Sequence, residues 1–195
     1  MVNGIKVVDA HCHIYPEKIA SRAVEAVGQF YNIEMEGHGT AEALLELSEN
    51  SPINKHIVHS VATIPKQVAS INNFIKEQCE KYEQFVGFGT IHPDLENGAE
   101  EVERIKNIGL HGIKIHPDTQ KFKVNSKDMD EIYEAAQELG LPVLIHCGDY
   151  RYDYSHPSRV KKLLAKFPKL CVIAAHFGGW SMPDLAYEFL KDENW

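Results

Sequence analysis

Residues 7–13 read VVDAHCH, so two imidazoles, His11 and His13, stand two residues apart at the end of an apolar run. In an extended strand the period of two puts both rings on one face. Neighbouring imidazoles fill a core poorly. As neutral nitrogen donors they hold a borderline divalent ion and leave a coordination position open, where water loses a proton near neutral pH. Further histidines close other apolar runs: His92, His116, His146 and His176. An imidazole beside such an ion but not bound to it can shuttle that proton, because its ordinary pKa is about 6.5.

Placing these side chains together requires strands that end on one side. Strand-length apolar runs occur at IKVVDA (5–10), HIVHSVAT (56–63), FVGFGTI (85–91), GIKI (112–115), PVLIHC (142–147) and CVIAAH (171–176). Several are apolar nearly throughout, as strands covered on both faces are. Amphipathic helical patterns separate them: 16–30, 40–50, 66–82, 98–109, 126–140, 155–168 and 182–193. Thr40 and Ser126 are placed as N-caps, Pro16 opens the first helix, and Gly140 ends the fifth. Alternating strands and helices form βα units on a parallel sheet. No Gly-rich phosphate turn follows the first strand, which argues against a doubly wound sheet. Histidines gathered at strand C-termini fit a (β/α)8 TIM-barrel, whose sites lie on that face. The sequence supplies six βα units where a closed barrel has eight. The expected fold is therefore an incomplete barrel, a single domain over 1–195 lacking its last two strands and truncated at the C-terminus. Its open first and sixth strands are expected to pair with another copy, giving a homo-oligomer.

Composition narrows the partners. The 195 residues carry 28 acidic against 20 basic side chains, a formal net charge of -8 with no basic cluster. A nucleic-acid backbone is therefore not the expected partner. No apolar run reaches the ~18 residues of a membrane span, and no leader pattern opens the chain. The four cysteines, Cys12, Cys79, Cys147 and Cys171, form no CxxC pair. They suggest neither a disulfide framework nor a thiolate zinc site, and a reducing cytoplasm is the expected setting. Cys12 and Cys147 have the opposite parity to the adjacent histidines and are expected in the core against the helix layer.

Taken in order, VDAHCH, GFGTIHPD, GIKIHPDTQKF, LPVLIHCGD and VIAAHFGG resemble the amidohydrolase superfamily. The resemblance is to its amidohydrolase-related branch, which includes aminocarboxymuconate-semialdehyde decarboxylase, and it spans the whole chain. It implies His11 and His13 as metal ligands from strand one and His146 as the ligand from strand five. The implied ion is divalent, zinc being the expected one. His176 would be the strand-six histidine, either a ligand or the catalytic group that activates water or substrate. The family also uses a strand-eight Asp in a Gly-Ser-Asp context, and no such tripeptide occurs here. Lys114 shares parity with His116 and is expected to point inward. There it would bind a substrate carboxylate, bridge two metals as a carbamate, or snorkel at the strand end. His116, with Gln120, resembles a loop at the site mouth, and Arg151 past strand five could hold a carboxylate. His92 is read as fixing its loop, and His38, His56, His59, His111 and His156 are given no role.

The activity expected from the resemblance is metal-dependent hydrolysis of a small molecule's C–N or ester-type bond by a metal-activated water, with non-oxidative decarboxylation of a small carboxylic acid on the same scaffold as the alternative. A third possibility is a binding domain or inactive fragment without the strand-eight Asp.

Overall fold

The computed structural model describes residues 4–195. Six strands form in chain order: β1 (Val7–His13), β2 (Ile53–His59), β3 (Phe85–Thr90), β4 (Gly112–Ile115), β5 (Val143–Ile145) and β6 (Val172–Ala174). The helices are α1 (Glu17–Tyr31), α2 (Ala41–Ser48), α3 (Val68–Lys81), α4 (Gly98–Asn107), α5 (Pro117–Gln120), α6 (Asp130–Leu139), α7 (Pro157–Lys166) and α8 (Pro183–Leu190). Every strand pairs parallel with the next, in the order β1-β2-β3-β4-β5-β6. A doubly wound sheet reverses its strand order at a switch point. This sequential order does not reverse, as expected of the first six units of a (β/α)8 barrel.

Contacts divide the chain into two compact units. The first comprises residues up to Ser60 together with 74–87, and holds β1, α1, α2, β2, the later part of α3 and the start of β3. The second comprises residues 61–73, with the start of α3, and 88–195, from the end of β3 to α8.

In the first unit β1 runs three residues further than expected, carrying His11, Cys12 and His13 in strand conformation. β2 starts at Ile53, earlier than its apolar run. The polar INK segment joins the sheet by backbone pairing, and the Asn54 side chain accepts from the Val7 amide at 3.0 Å. Thr40 caps α2 as expected, its hydroxyl accepting from the Ala43 amide at 3.2 Å. In the second unit β4 is buried at all four positions, and Ile113, Ile115, Val143, Ile145 and Val172 form the core. α4 packs on α6 and α7 on α8. Ser126 caps a 3-10 turn (Lys127–Met129) that leads into α6, and Gly140 closes α6 at φ 64°. β5 and β6 are shorter than their apolar runs, so His146 lies in the loop just past β5 and His176 opens a 3-10 turn (His176–Gly178) just past β6.

Candidate metal centre and its partners

β1 and β2 build the first cluster within the first unit. His13 pairs in register with His59, and Ile14 donates to the His59 carbonyl at 3.1 Å. The Ser60 hydroxyl donates to the Ile14 carbonyl, tying the two strand ends again. The rings of His11, His13 and His59 stand 4.4–5.3 Å apart by centroid. One nitrogen from each lies within 4.8 Å of the others. Donors about 2.0–2.1 Å from a tetrahedral ion stand roughly 3.3–3.4 Å apart. Small rotamer changes therefore suffice to close three imidazoles on one divalent ion, and the donor set fits it. His59 is fully buried, while His11 and His13 are half-buried. His59 has no sequence signal of its own: one histidine in an apolar run reads as core. Only the β1–β2 register, a pairing across 46 residues, reveals it.

The second unit holds another group. His116, Asp118 and His146 bring one ligand atom each within 4.8 Å of one another. His116 stacks on His146 at 4.0 Å between centroids with planes 7° apart. His146 Nε2 lies 3.8 Å from Asp118 Oδ2, which also accepts from the Ser155 hydroxyl at 2.7 Å. His146 Nδ1 faces His176 Nε2 at 3.2 Å. Burial holds the Asp118 carboxyl up at about 6, and burial, aided by Lys114, holds the His176 imidazolium below its usual range. His176 is therefore a neutral imidazole at neutral pH.

The loops after β5 and β6 are stitched together, which sets the His146–His176 contact. Trp180 donates to the Cys147 carbonyl at 2.8 Å, and Ser181 to that of Gly148 at 2.9 Å. The chains approach so closely that a Cβ on Gly148 (φ 77°) would stand 2.4 Å from the Gly179 Cα. His176 and Phe177 are consecutive non-glycine residues at positive φ, 58° and 54°. Each such residue costs on the order of 1 kcal/mol, strain of a kind concentrated at functional sites.

Lys114 is 0% exposed, and its Nζ has no hydrogen-bond partner among the described residues. Burial lowers its pKa to about 7, and burial lifts the neighbouring Cys147 thiol to about 12. Cys147 is thus neutral and offers Lys114 no counter-charge. Arg151, by contrast, has its charge matched. Its guanidinium donates to buried Asp149 at 2.9 Å from Nε and 2.6 Å from Nη2, and packs over the Tyr152 and Trp180 rings. His116 caps α5, and the Gln120 side chain locks that turn. Gln120 accepts from the His116 amide at 2.8 Å and donates to the carbonyls of Ala62 and Ile91. His92 accepts from the Asp94 amide at 3.2 Å and fixes its loop. Cys12 and Cys147 are both buried.

Sequential parallel strands with imidazoles and a buried lysine at their C-terminal ends define a barrel-type α/β protein of the kind that builds metal-dependent sites. Residues 8–194 match the amidohydrolase family, and the chain belongs to it. Solved structures share the fold. An uncharacterised TIM-barrel protein from Bordetella bronchiseptica superposes with a TM-score of 0.71 at 15% identity, over 95% of this chain and 73% of that one. For the 5-carboxyvanillate decarboxylase LigW from Sphingomonas paucimobilis the TM-score is 0.63 at 16% identity, over 87% and 67%. A 5-carboxyvanillate decarboxylase from Novosphingobium aromaticivorans, complexed with manganese and 4-hydroxy-3-methoxy-5-nitrobenzoic acid, gives 0.70 at 17%, over 95% and 69%. Among the described residues, no helix is long and apolar enough to cross a membrane.

Proposed function

We propose that the protein is a metal-dependent lyase that removes carbon dioxide non-oxidatively from a small carboxylic acid. The observation that carries this reading is Lys114, a fully buried cation site without an anion. Burying an unpaired ammonium is costly, and a substrate carboxylate would supply the missing partner. Two of the structural neighbours are named as decarboxylases of an aromatic carboxylate, one of them complexed with manganese, which supports the same direction. A divalent ion, zinc or manganese, would be held by His11, His13 and His59 and would supply Lewis acidity when bound. Within the second unit, Lys114 would anchor the carboxylate, and His176, neutral at rest, would take up a proton from solvent and pass it to the carbon as the C–C bond to the leaving carbon dioxide breaks. His116 and Arg151 remain proposed substrate contacts of lesser weight, since one is fixed by α5 and the other is matched by Asp149. Incubating the metal-loaded protein with hydroxylated aromatic carboxylates should release carbon dioxide. No release, with hydrolysis of amide or ester substrates instead, would overturn the lyase reading.

Hydrolysis is the second reading, favoured by the 3.2 Å His146–His176 pair, which can pass a proton away from an attacking water. A reducing cytoplasm is proposed as the setting, in keeping with four unpaired cysteines.

The metal proposal has its own test. Protein purified without chelators should contain a divalent ion, and His13→Ala or His59→Ala should lower that content. Metal near zero, unchanged after incubation with zinc or manganese, contradicts it.

Self-association is also proposed. Ile5 is 68% exposed and Val8 49%, and β1 pairs only with β2 among the described residues, as β6 pairs only with β5. Light scattering should give a mass above 22.0 kDa, and a stable monomer at that mass contradicts the proposal.

A further inference from the structure

The β1–β2 pair carries a second cluster on the face opposite its three imidazoles. Cys12 and His13 are consecutive in a strand and so point to opposite faces, as do His56 and His59, three positions apart on β2. A register irregularity places Asp9 with the first set. Asp9 pairs with His56 but Cys12 with Val58, so three steps on β1 answer two on β2. One residue is inserted, and the bulge brings Asp9 and Cys12 onto one face. There a carboxylate oxygen of Asp9, the Cys12 sulfur and a His56 nitrogen all lie within 4.8 Å of one another, with Cys12 Sγ 3.7 Å from His56 Nδ1.

We infer that Asp9, Cys12 and His56 form a second divalent-metal site, a sulfur–nitrogen–oxygen site for zinc or a similarly borderline ion. The sulfur-to-nitrogen separation is already that of two ligands on one tetrahedral ion, for which about 3.5–3.7 Å follows from ordinary zinc–sulfur and zinc–nitrogen distances. Cys12 and His56 are buried, while Asp9 is half-exposed, which gives the ion a way in from solvent and leaves room for a water as fourth ligand. As the metal–sulfur bond forms, the Cys12 thiol loses its proton to solvent, and the ion's double positive charge is partly balanced by thiolate and carboxylate. Bound there, the ion would pin the bulge from which His11 and His13 project. The site is independent of the activity proposed above, since none of its three side chains belongs to the His11–His13–His59 cluster.

Cobalt(II) provides the test, because only a thiolate ligand produces a sulfur-to-metal charge-transfer band in the near ultraviolet. The imidazole cluster contains no sulfur and gives no such band. Titrating the metal-free full chain with cobalt(II) should produce the band, and zinc should abolish it by displacement. The band should persist in a Cys79→Ser, Cys171→Ser double variant. It should fall to background in Cys12→Ser and weaken in His56→Gln. Should Cys12→Ser fail to fold, as circular dichroism would reveal, His56→Gln keeps the test intact. Absence of the band from the parent, or its survival at full strength in a folded Cys12→Ser or in His56→Gln, overturns the inference.

Discussion

Replacing Lys114 with methionine is expected to stabilise the fold while lowering activity about 10²–10³-fold, the usual effect of losing one preorganised electrostatic contact. The side chain is fully buried, lacks a hydrogen-bond partner among the described residues, and borders a cysteine that burial keeps neutral. Exchanging such a group for an apolar one of similar volume should gain roughly 1–4 kcal/mol. For a chain of this size that raises Tm by about 2–4 °C per kcal/mol. The pH dependence follows from the lowered pKa. Lys114 titrates near 10.5 when unfolded and at about 7 when folded. Between those values the unfolded chain holds the extra proton, so stability rises with pH from about 7 to 10.5. Below about 7 both states carry the charge and its burial exerts the full cost. Lys114→Met should flatten that slope. Thermal melts from pH 6 to 10, beside turnover at saturating substrate, separate the two effects. A destabilised variant with full activity would mark Lys114 as a packing residue and remove the carboxylate anchor from the mechanism.

Lys114 also shows how far the sequence could be read. The alternation of apolar runs and amphipathic segments, with histidines at the run ends, was enough to place six parallel strands in barrel order. Parity then aligned Lys114 with His116, because β4 is short and regular. Strand ends were less legible. β2 begins in the polar INK segment, where backbone pairing rather than apolarity makes the strand. β5 and β6 stop early because the loops after them are stitched to each other by backbone bonds. His59 and His56, given no role from sequence, are illegible there for another reason. Each gains its meaning from the partner strand, through His13 opposite one and the bulged Asp9–Cys12 segment beside the other. Register and bulges are non-local, and a period-two reading of one strand contains neither. Arg151 is legible in sequence as a possible carboxylate contact, but its pairing with Asp149, two residues before it, is not, because nothing in sequence signals the fold-back of that carboxylate onto the guanidinium.

His176→Asn is expected to lower catalysis about 10²–10⁴-fold, the range for a positioned acid or base, with metal content unchanged. Three imidazoles other than His176 suffice for an ion with an open position, so the metal does not require it. On the proposed reading its ring serves proton transfer instead. Nε2 lies 3.2 Å from His146 Nδ1, burial keeps the ring neutral, and the backbone at His176 and Phe177 is strained into the left-handed region to hold it there. The loops that carry the two rings meet at Gly148 and Gly179, where no side chain fits, so their separation is fixed by backbone rather than by rotamer choice. Asparagine favours the same left-handed backbone and preserves a polar side chain, so the substitution tests chemistry with little change in folding. Metal content and turnover, measured side by side on metal-loaded protein, should diverge: the first constant, the second reduced. A parallel loss of both would make His176 a ligand. Unchanged activity would exclude it from catalysis, and the proton would then have to come from the other side of the His146 ring, where Asp118 stands 3.8 Å from Nε2.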